Sequence, residues 1–415
     1  MAKRLVAIFG IVSGVVIGPL QYPGSAWAQI VEPPRMGPRA AGFYVTPSFS
    51  VSETYDDNIF FSSSQQQDDF ISRFTPGVKA GYQSEPFTLL GSYSFRSAIY
   101  ADHPSLDAAL ESQLGSLELR YRPTEVLTLG FDGAYSRTEI ASELNQPNPA
   151  LPFIPVQATA GVQVTRVRTT FYSLMPSIAY RFNPLTRGSA SYDYVVFEGG
   201  GISTTAQDVV LGLDRDITPR DTALLKSYYR HFETETSGSS ASSTLSSSQE
   251  SYAVTLGWKH RFTERWDVTA QAGPRISEGT GIAGETVGVE ANAAVNWRFQ
   301  RGTATLGYSR TELTAAGVGG GLRSESIFAS VAVEPVRLLH LSLTPRWVQD
   351  TPEGGGAQTT GTITIYSVDA TATYQLTRWL SARLSYQYSD QVGRVDIPHN
   401  LVTIGLDFGY PTRVY

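Results

Sequence analysis

The sequence predicts an all-β protein, a transmembrane antiparallel up-and-down β-barrel. Three observations carry this expectation. From about residue 43 onward, apolar and polar side chains alternate with a period of two, so each run has one face of each kind. The connections between runs alternate short and long, as in bacterial outer-membrane barrels. Charge is scarce at 17% of residues, against roughly 25% in soluble domains.

The first residues read as a secretory signal. Lys3 and Arg4 supply a positive start, Leu5 to Leu20 an apolar core, and Ala26-Trp27-Ala28 a small-residue cleavage site. Residues 1–28 are therefore expected to be a cleaved signal peptide, and 29–42 a Pro-rich periplasmic lead. Removing Lys3 and Arg4 leaves the mature chain more acidic than the −6 of the full sequence, which argues against nucleic-acid partners. No later run of about 18 apolar residues could form a membrane helix. The absence of cysteine excludes disulfides and thiolate metal sites.

The barrel is expected over residues 43–410, followed by a C-terminal tail at 411–415. In the run 286–299, Val287, Val289, Ala291, Ala293, Val295, Trp297 and Phe299 share one face. Glu290, Asn292, Asn296 and Arg298 lie on the other. Short turns fall near Ser84-Glu85-Pro86, Pro123-Thr124, Pro184-Leu185, Pro219-Arg220, Thr263-Glu264, Gln300-Arg301, Pro335-Val336 and Thr377-Arg378. Long polar loops fall near 56–68, 101–110, 140–164, 199–206, 236–249, 278–284, 315–322, 350–361 and 390–397. This rhythm gives about eighteen strands, with sixteen as the neighbouring even count, and puts both termini at the short-turn end, expected to be periplasmic. Pro147, Pro149, Pro152 and Pro155 keep the longest loop free of strand. That loop can lie over the surface or fold inward and narrow the pore. The glycine runs at 317–321 and 354–356 read as flexible loop tips, as does the Ser-rich stretch 237–248.

Aromatic residues gather beside the short turns, among them Tyr82, Tyr121, Tyr180, Phe182, Phe262, Trp266, Trp297, Tyr374, Trp379, Phe408 and Tyr410. They would form an interfacial girdle. The last run, Leu401 to Tyr410, resembles the terminal strand recognised by the outer-membrane assembly machinery, although the chain continues to Tyr415.

Parity assigns the lumen-lining candidates: Lys79, Arg96, Arg120, Lys226, Arg230, Lys259, Arg261, Glu290, Arg298, Arg346 and Arg383. Facing lipid at the midplane, an Arg or Lys would cost about 2–4 kcal/mol. Either these cations create a basic channel that favours anionic solutes, or they pair with wall carboxylates. Tyr228 and Phe328 are aromatic candidates on the same face. The five histidines are scattered over different hairpins, so no catalytic arrangement is expected; His340 alone reads as a strand residue that could face the lumen. Glu53, Asp56, Asp57 and Asn58 form an acidic turn able to offer oxygen ligands to Ca²⁺, though such runs usually stay solvated. No cofactor or metal is expected.

One segment resembles a known family. Ser50-Val51-Ser52-Glu53-Thr54-Tyr55-Asp56-Asp57-Asn58-Ile59-Phe60, then Asp69-Phe70-Ile71-Ser72-Arg73-Phe74-Thr75-Pro76-Gly77, looks like the opening hairpin of bacterial outer-membrane β-barrel porins. Members of that family often occur beside exopolysaccharide or exosortase gene clusters. The resemblance implies an outer-membrane porin-like channel, either a conduit for exopolysaccharide or a path for small solutes, and supplies no catalytic residues. The alternative is a non-conducting barrel that acts as an assembly partner or surface anchor. Expected partners are outer-membrane lipid, the assembly machinery and the solute.

Overall fold

The computed structural model describes residues 42–410 and 412–414, except 141–143, 145–161, 164–165, 238–243, 281–284, 316–317, 354–360 and 394. The expected signal peptide, most of the lead, Tyr415 and the glycine run 354–356 lie outside the described residues.

The strands are β1 (Gly42–Asp56), β2 (Asp69–Gln83), β3 (Phe87–Tyr100), β4 (Ala108–Tyr121), β5 (Leu127–Thr138) and β6 (Thr169–Asn183). They continue as β7 (Thr186–Gly199), β8 (Ile202–Thr218), β9 (Asp221–Ser237), β10 (Thr244–Arg261), β11 (Trp266–Gly279) and β12 (Thr286–Phe299). The rest are β13 (Gly302–Ala315), β14 (Val318–Val333), β15 (Leu339–Glu353), β16 (Ile363–Thr377), β17 (Leu380–Val392), β18 (Ile397–Gly409) and the short β19 (Thr412–Val414). One turn of 3-10 helix, Pro104–Leu106, is the only helix among the described residues, so none there is long and apolar enough to cross a membrane.

Each strand pairs antiparallel with its chain neighbours, and β1 pairs with both β2 and β18, closing the sheet. The eighteen expected strands are present. Closure follows from the alternation: an apolar exterior in lipid leaves no water to satisfy a free sheet edge. The two faces differ sharply in exposure. On β10, Leu256 is 69% exposed while its neighbour Thr255 is 2% exposed. Ser, Thr, Asn and Gln dominate the buried polar residues of the inner face, whereas Val, Leu, Ile and aromatic residues dominate the exposed hydrophobics.

Three connections depart from expectation. Residues 199–206 do not form a long loop. β7 and β8 meet in a two-residue turn through Gly200 (φ +62°) and Gly201 (φ +78°), a left-handed pair that side chains other than glycine rarely adopt. Residues 318–321 belong to β14, so the glycine run there is strand. The Ser-rich stretch extends β9 to Ser237 and begins β10 at Thr244. Beyond Tyr410, β19 pairs with Phe43–Val45 in the register that β18 already keeps with β1. Most of the expected tail thus continues the wall.

The girdle beside the short turns is present on the outer face. Phe43, Tyr82, Phe87 and Tyr121 form a chain of ring contacts, and Trp266 stacks on Trp297 with centroids 5.4 Å apart. A second belt, not read from the sequence, lies nearer the long loops. Its tyrosine hydroxyls donate to acceptors on the same face: Tyr93 to Gln113 (3.0 Å), Tyr252 to Glu250 (3.0 Å), Tyr308 to Glu325 (2.8 Å) and Tyr386 to Asn400 (2.9 Å). Two belts bracketing an apolar band are the pattern of a membrane wall.

Candidate functional site

The inner face is polar along its length, and most of its charges are paired. Arg120 donates to Asp132 (2.8 Å) and lies 3.8 Å from Glu118. Arg298 bonds Asp267 (3.2 Å), and Arg383 bonds Asp407 (3.2 Å). Arg73 and Arg96 both approach the buried Glu111, at 3.1 and 3.9 Å. Lys226 and Lys259 face Asp214, and Arg346 faces Asp369. Lys79 shares the inner face with its register partner Thr46, and Arg261 stands at the short-turn rim opposite Asp267. Acidic partners match the cations closely, which argues against a uniformly basic field. Parity could find these residues but not their partners, because several pairs join different strands.

Arg230 and Glu290 are the two candidates that the fold brings into a wider network. Arg230, on β9, donates from Nη1 to Glu290 Oε1 (2.9 Å) on β12 and Thr311 Oγ1 (2.9 Å) on β13. It also reaches the Glu312 carbonyl (3.4 Å) and lies 3.6 Å from Asp208 on β8. Its guanidinium covers the Tyr228 ring at 5.2 Å. Arg275 approaches both Glu290 (3.7 Å) and Glu312 (4.0 Å), and Gln249 donates to Glu312. None of β9, β10 and β11 pairs with β13, so these contacts cross the interior.

The reason lies in the β13–β14 hairpin. Thr311, Glu312 and Leu313 are all buried, although successive strand residues point to opposite faces. Beyond Arg310, β13 no longer pairs with β12, while β14 stays paired with β15 as far as Gly321, so this end of β13 leans inward with both faces covered. A Cβ at Gly321 would come within 2.6 Å of Gln249 Oε1, which shows how closely β14 approaches β10. Phe328 lies against Gly307 on the same hairpin, where only hydrogen leaves room for the ring.

The β5–β6 connection also reaches inward where it is described. Ile140 packs with Phe61 and Ile397. Leu144 packs with Phe171, Val195, Phe197, Ala206 and Phe232. Val162 packs with Leu313, Leu322, Val348, Ile363 and Ile365. The Gln163 backbone N–H donates to Gln391 (2.8 Å), its side chain donates to Ser389, and Arg166 donates to Tyr100 (2.7 Å). These anchors touch β3, β5 to β9 and β13 to β18. Residues 141–143, 145–161 and 164–165 of this loop, including its four prolines, lie outside the described residues.

The acidic turn serves the barrel seam. Asp56 bonds His399 Nε2 (2.8 Å) and accepts from the Asn58 backbone (2.9 Å). Asp57 accepts from the Asn400 backbone and side chain, and Asn58 donates to the Ser62 and Pro398 carbonyls. Asp56, Asp57 and His399 present ligand atoms within 4.8 Å of one another, but those atoms already serve this clasp. Glu53 lies on the outer face with Ser72 and does not join them. Each of the five histidines pairs with a carboxylate: His103 with Asp69, His231 with Glu250, His260 with Asp221, His340 with Glu334 and His399 with Asp56. His340 stands near the short-turn rim, half-exposed.

A closed antiparallel sheet with an apolar exterior, two aromatic belts and a polar interior is the architecture of a transmembrane β-barrel. The model of the family described as "Putative beta-barrel porin 2" matches residues 281–409, from the β11–β12 connection to the end of β18. The porin resemblance read at the opening hairpin thus recurs at the opposite end of the chain. No curated protein matches the sequence. Among solved structures, the chain is similar to OccAB4 of Acinetobacter baumannii, at 10% identity over 89% of this chain and 98% of that one, with a TM-score of 0.47. It is similar to OccK11 (OpdR) of Pseudomonas aeruginosa, at 12% identity over 91% and 99%, with a TM-score of 0.43. It is also similar to the siderophore receptor PiuA of Acinetobacter baumannii, at 10% identity over 90% and 82%, with a TM-score of 0.47.

Proposed function

We propose that this barrel is a channel for small hydrophilic solutes across the outer membrane, with the long loops outside and both termini periplasmic. The observation that carries the reading is the Arg230 network: a polar interior is crossed at one level by hydrogen-bonded side chains rather than filled by an apolar core. Barrels of about eighteen strands have room for an aqueous lumen, and the inturned β13–β14 hairpin would set its aperture. The acid-base balance of the wall favours neutral or zwitterionic solutes over strongly charged ones. The long-loop end faces outward by analogy with the loop asymmetry of outer-membrane barrels. In this reading the lumen candidates named above line the path, and surrounding lipid and the assembly machinery are the partners.

Exopolysaccharide export is the larger-solute form of the same proposal. Tyr228 and Phe328 offer ring faces on which sugars can stack, but a polymer requires the inturned hairpin and the β5–β6 connection to move aside. A specific observation supports the other reading, a non-conducting anchor: Leu144 and Val162 seat the β5–β6 connection in apolar clusters at the mouth. Recording purified, detergent-refolded barrel in planar bilayers separates them. Discrete current steps that enlarge in Arg230→Ala support the channel. A silent membrane containing verified folded barrel supports the anchor.

A further inference from the structure

One row across the inner wall carries carboxylates in succession. Glu118 on β4 stands opposite Asp132 on β5, and Asp132 opposite Met175 on β6. The register of β6 with β7, fixed by the pairs Leu174–Tyr194 and Ser177–Ser191, puts Met175 opposite Asp193. Asp193 on β7 is the direct partner of Asp208 on β8, and Asp208 that of Arg230 on β9. Side chains of such direct partners start about 4.5–5.5 Å apart. Asp132 lies two strands from Asp193, a separation of about 10 Å.

Cations stand at both ends of this row and none at its middle. Arg120 donates to Asp132 Oδ2 and lies near Glu118. Arg230 lies 3.6 Å from Asp208 and is shared with Glu290. Asp193, partly exposed on the inner face, has neither a hydrogen bond nor an ion pair among the described residues. The charges that act on it are Asp208 and Asp132, both negative. Asp132 is 3% exposed, yet its Oδ1 has no hydrogen-bond partner, and Oδ1 of Asp208 is buried without one as well. Like charges directly opposite each other destabilise a sheet, and a buried acceptor left unmatched costs about 1–3 kcal/mol. The middle of the row is one positive charge short.

We propose that this row binds the ammonium group of an organic solute, and that Asp193 is the residue that receives it. An ammonium carries only donors. It bonds the accessible Asp193 carboxylate, and its charge offsets those of Asp208 and Asp132 behind it. Met175, between two carboxylates, gives the solute's alkyl part a soft apolar contact. A metal ion fits less well, because the carboxylates are spread along the row. Among the described residues, the acidic group gathered closely enough for a metal is Asp56, Asp57 and His399. A role in transport rests on the channel reading, where Asp193 would select the positive end of a zwitterion; binding itself does not.

The refolded barrel in detergent is titrated by calorimetry with diaminobutane, a probe that carries the ammonium group, and with butanediol as its neutral counterpart. Wild type should bind the diamine and not the diol. Asp193→Asn should bind the diamine at least about tenfold more weakly. Glu264→Gln, which removes an exposed carboxylate at a short turn, should bind as wild type does. Unchanged binding in Asp193→Asn, or equal weakening in Glu264→Gln, overturns the site. Displacement of the diamine by an equal concentration of magnesium chloride, but not by potassium chloride at the same ionic strength, overturns the ammonium assignment in favour of a divalent ion. In planar bilayers the diamine should interrupt wild-type current and spare that of Asp193→Asn. Current with unchanged diamine binding in Asp193→Asn keeps the channel and overturns the site. Asp193-dependent binding over a silent membrane keeps the site and overturns the channel. Asp193→Asn removes one of two opposed like charges, so its heat-resistant compact band on electrophoresis should persist. If the band is lost, Asp193→Ser takes its place and must show the same weakening.

Discussion

Asp57 holds Asn400 twice: Oδ1 accepts the Asn400 backbone N–H at 2.7 Å, and Oδ2 accepts the side-chain Nδ2 at 2.6 Å. The two residues are separated by nearly the whole wall in sequence and meet where β1 closes on β18. The Tyr-Asp-Asp-Asn stretch that carried the family resemblance is therefore the outer clasp of the seam, aided by Asp56–His399 and by Asn58 on the Pro398 carbonyl.

Cutting this clasp should weaken closure without altering the strands. Asp57→Ala removes both acceptors and leaves the Asn400 backbone N–H without a protein partner. Hydrogen bonds to a charged group contribute about 1.5–3 kcal/mol each, and the partly exposed site keeps the loss near the lower end of their sum. The compact electrophoretic form of Asp57→Ala should convert to the unfolded form at a clearly lower temperature than wild type. An unchanged conversion temperature would show that seam stability resides in the backbone ladder alone.

The network around Arg230 makes a second, sharper forecast. Arg230→Met strips the buried Glu290 of its closest cation, and breaking a buried pair on one side costs about 3–5 kcal/mol. Glu290 retains Arg275 at 3.7 Å, so the cost should fall at the low end of that range. Replacing both, as Arg230→Met with Glu290→Leu, should recover much of the loss. Chemical unfolding in detergent or lipid gives the coupling energy from the two single variants and the double. Strict additivity would mean that the pair contributes nothing to holding the hairpin.

The strand count, most of the alternation of short and long connections and the inner or outer face of most strand residues were legible, because a period of two is a local property. What lay beyond reach was the parting of β13 from β12 beyond Arg310. Thr311-Glu312-Leu313 reads as ordinary alternation, and only contacts with Arg230, Gln249 and Arg275 on distant strands reveal that both faces are covered. Glycine misled in the same region. Gly319 to Gly321 resembled a loose tip, whereas Gly321 allows β14 to press on Gln249. The pairing of lumen cations was also hidden, since Arg73 on β2 meets Glu111 on β4, a strand it does not adjoin. The outer tyrosine belt did carry a signal. Tyr366 and Tyr374 share a strand and a face eight residues apart, a spacing of roughly 27 Å along an extended strand.

Phe328 and Gly307 face each other across β13 and β14 in register, and the ring occupies the space a side chain at 307 would need. Gly307→Val should force the ring off the wall into the lumen. Overpacking of this kind costs about 1–3 kcal/mol, and the displaced ring should lower unit conductance. The companion Gly307→Val with Phe328→Ala should restore both stability and current. A single variant with wild-type conductance would place Phe328 outside the conducting path.

The membrane assignment itself is open to a paired test on one strand. Leu384 and Ser385 are neighbours on β17; Leu384 is 52% exposed on the outer face, and Ser385 points inward beside Thr403. In water, an arginine at the exposed position would be the milder change. In a bilayer the order reverses, because a lipid-facing Arg near the midplane costs about 2–4 kcal/mol, while one on the polar inner face can be hydrated or find a carboxylate. Asp369 and Asp407 are candidates for that role, one on each neighbouring strand. Leu384→Arg should therefore refold into lipid vesicles with the larger loss of stability, and Ser385→Arg with the smaller. If Ser385→Arg were the more damaging of the two, the face turned toward hydrocarbon would have been assigned the wrong way round.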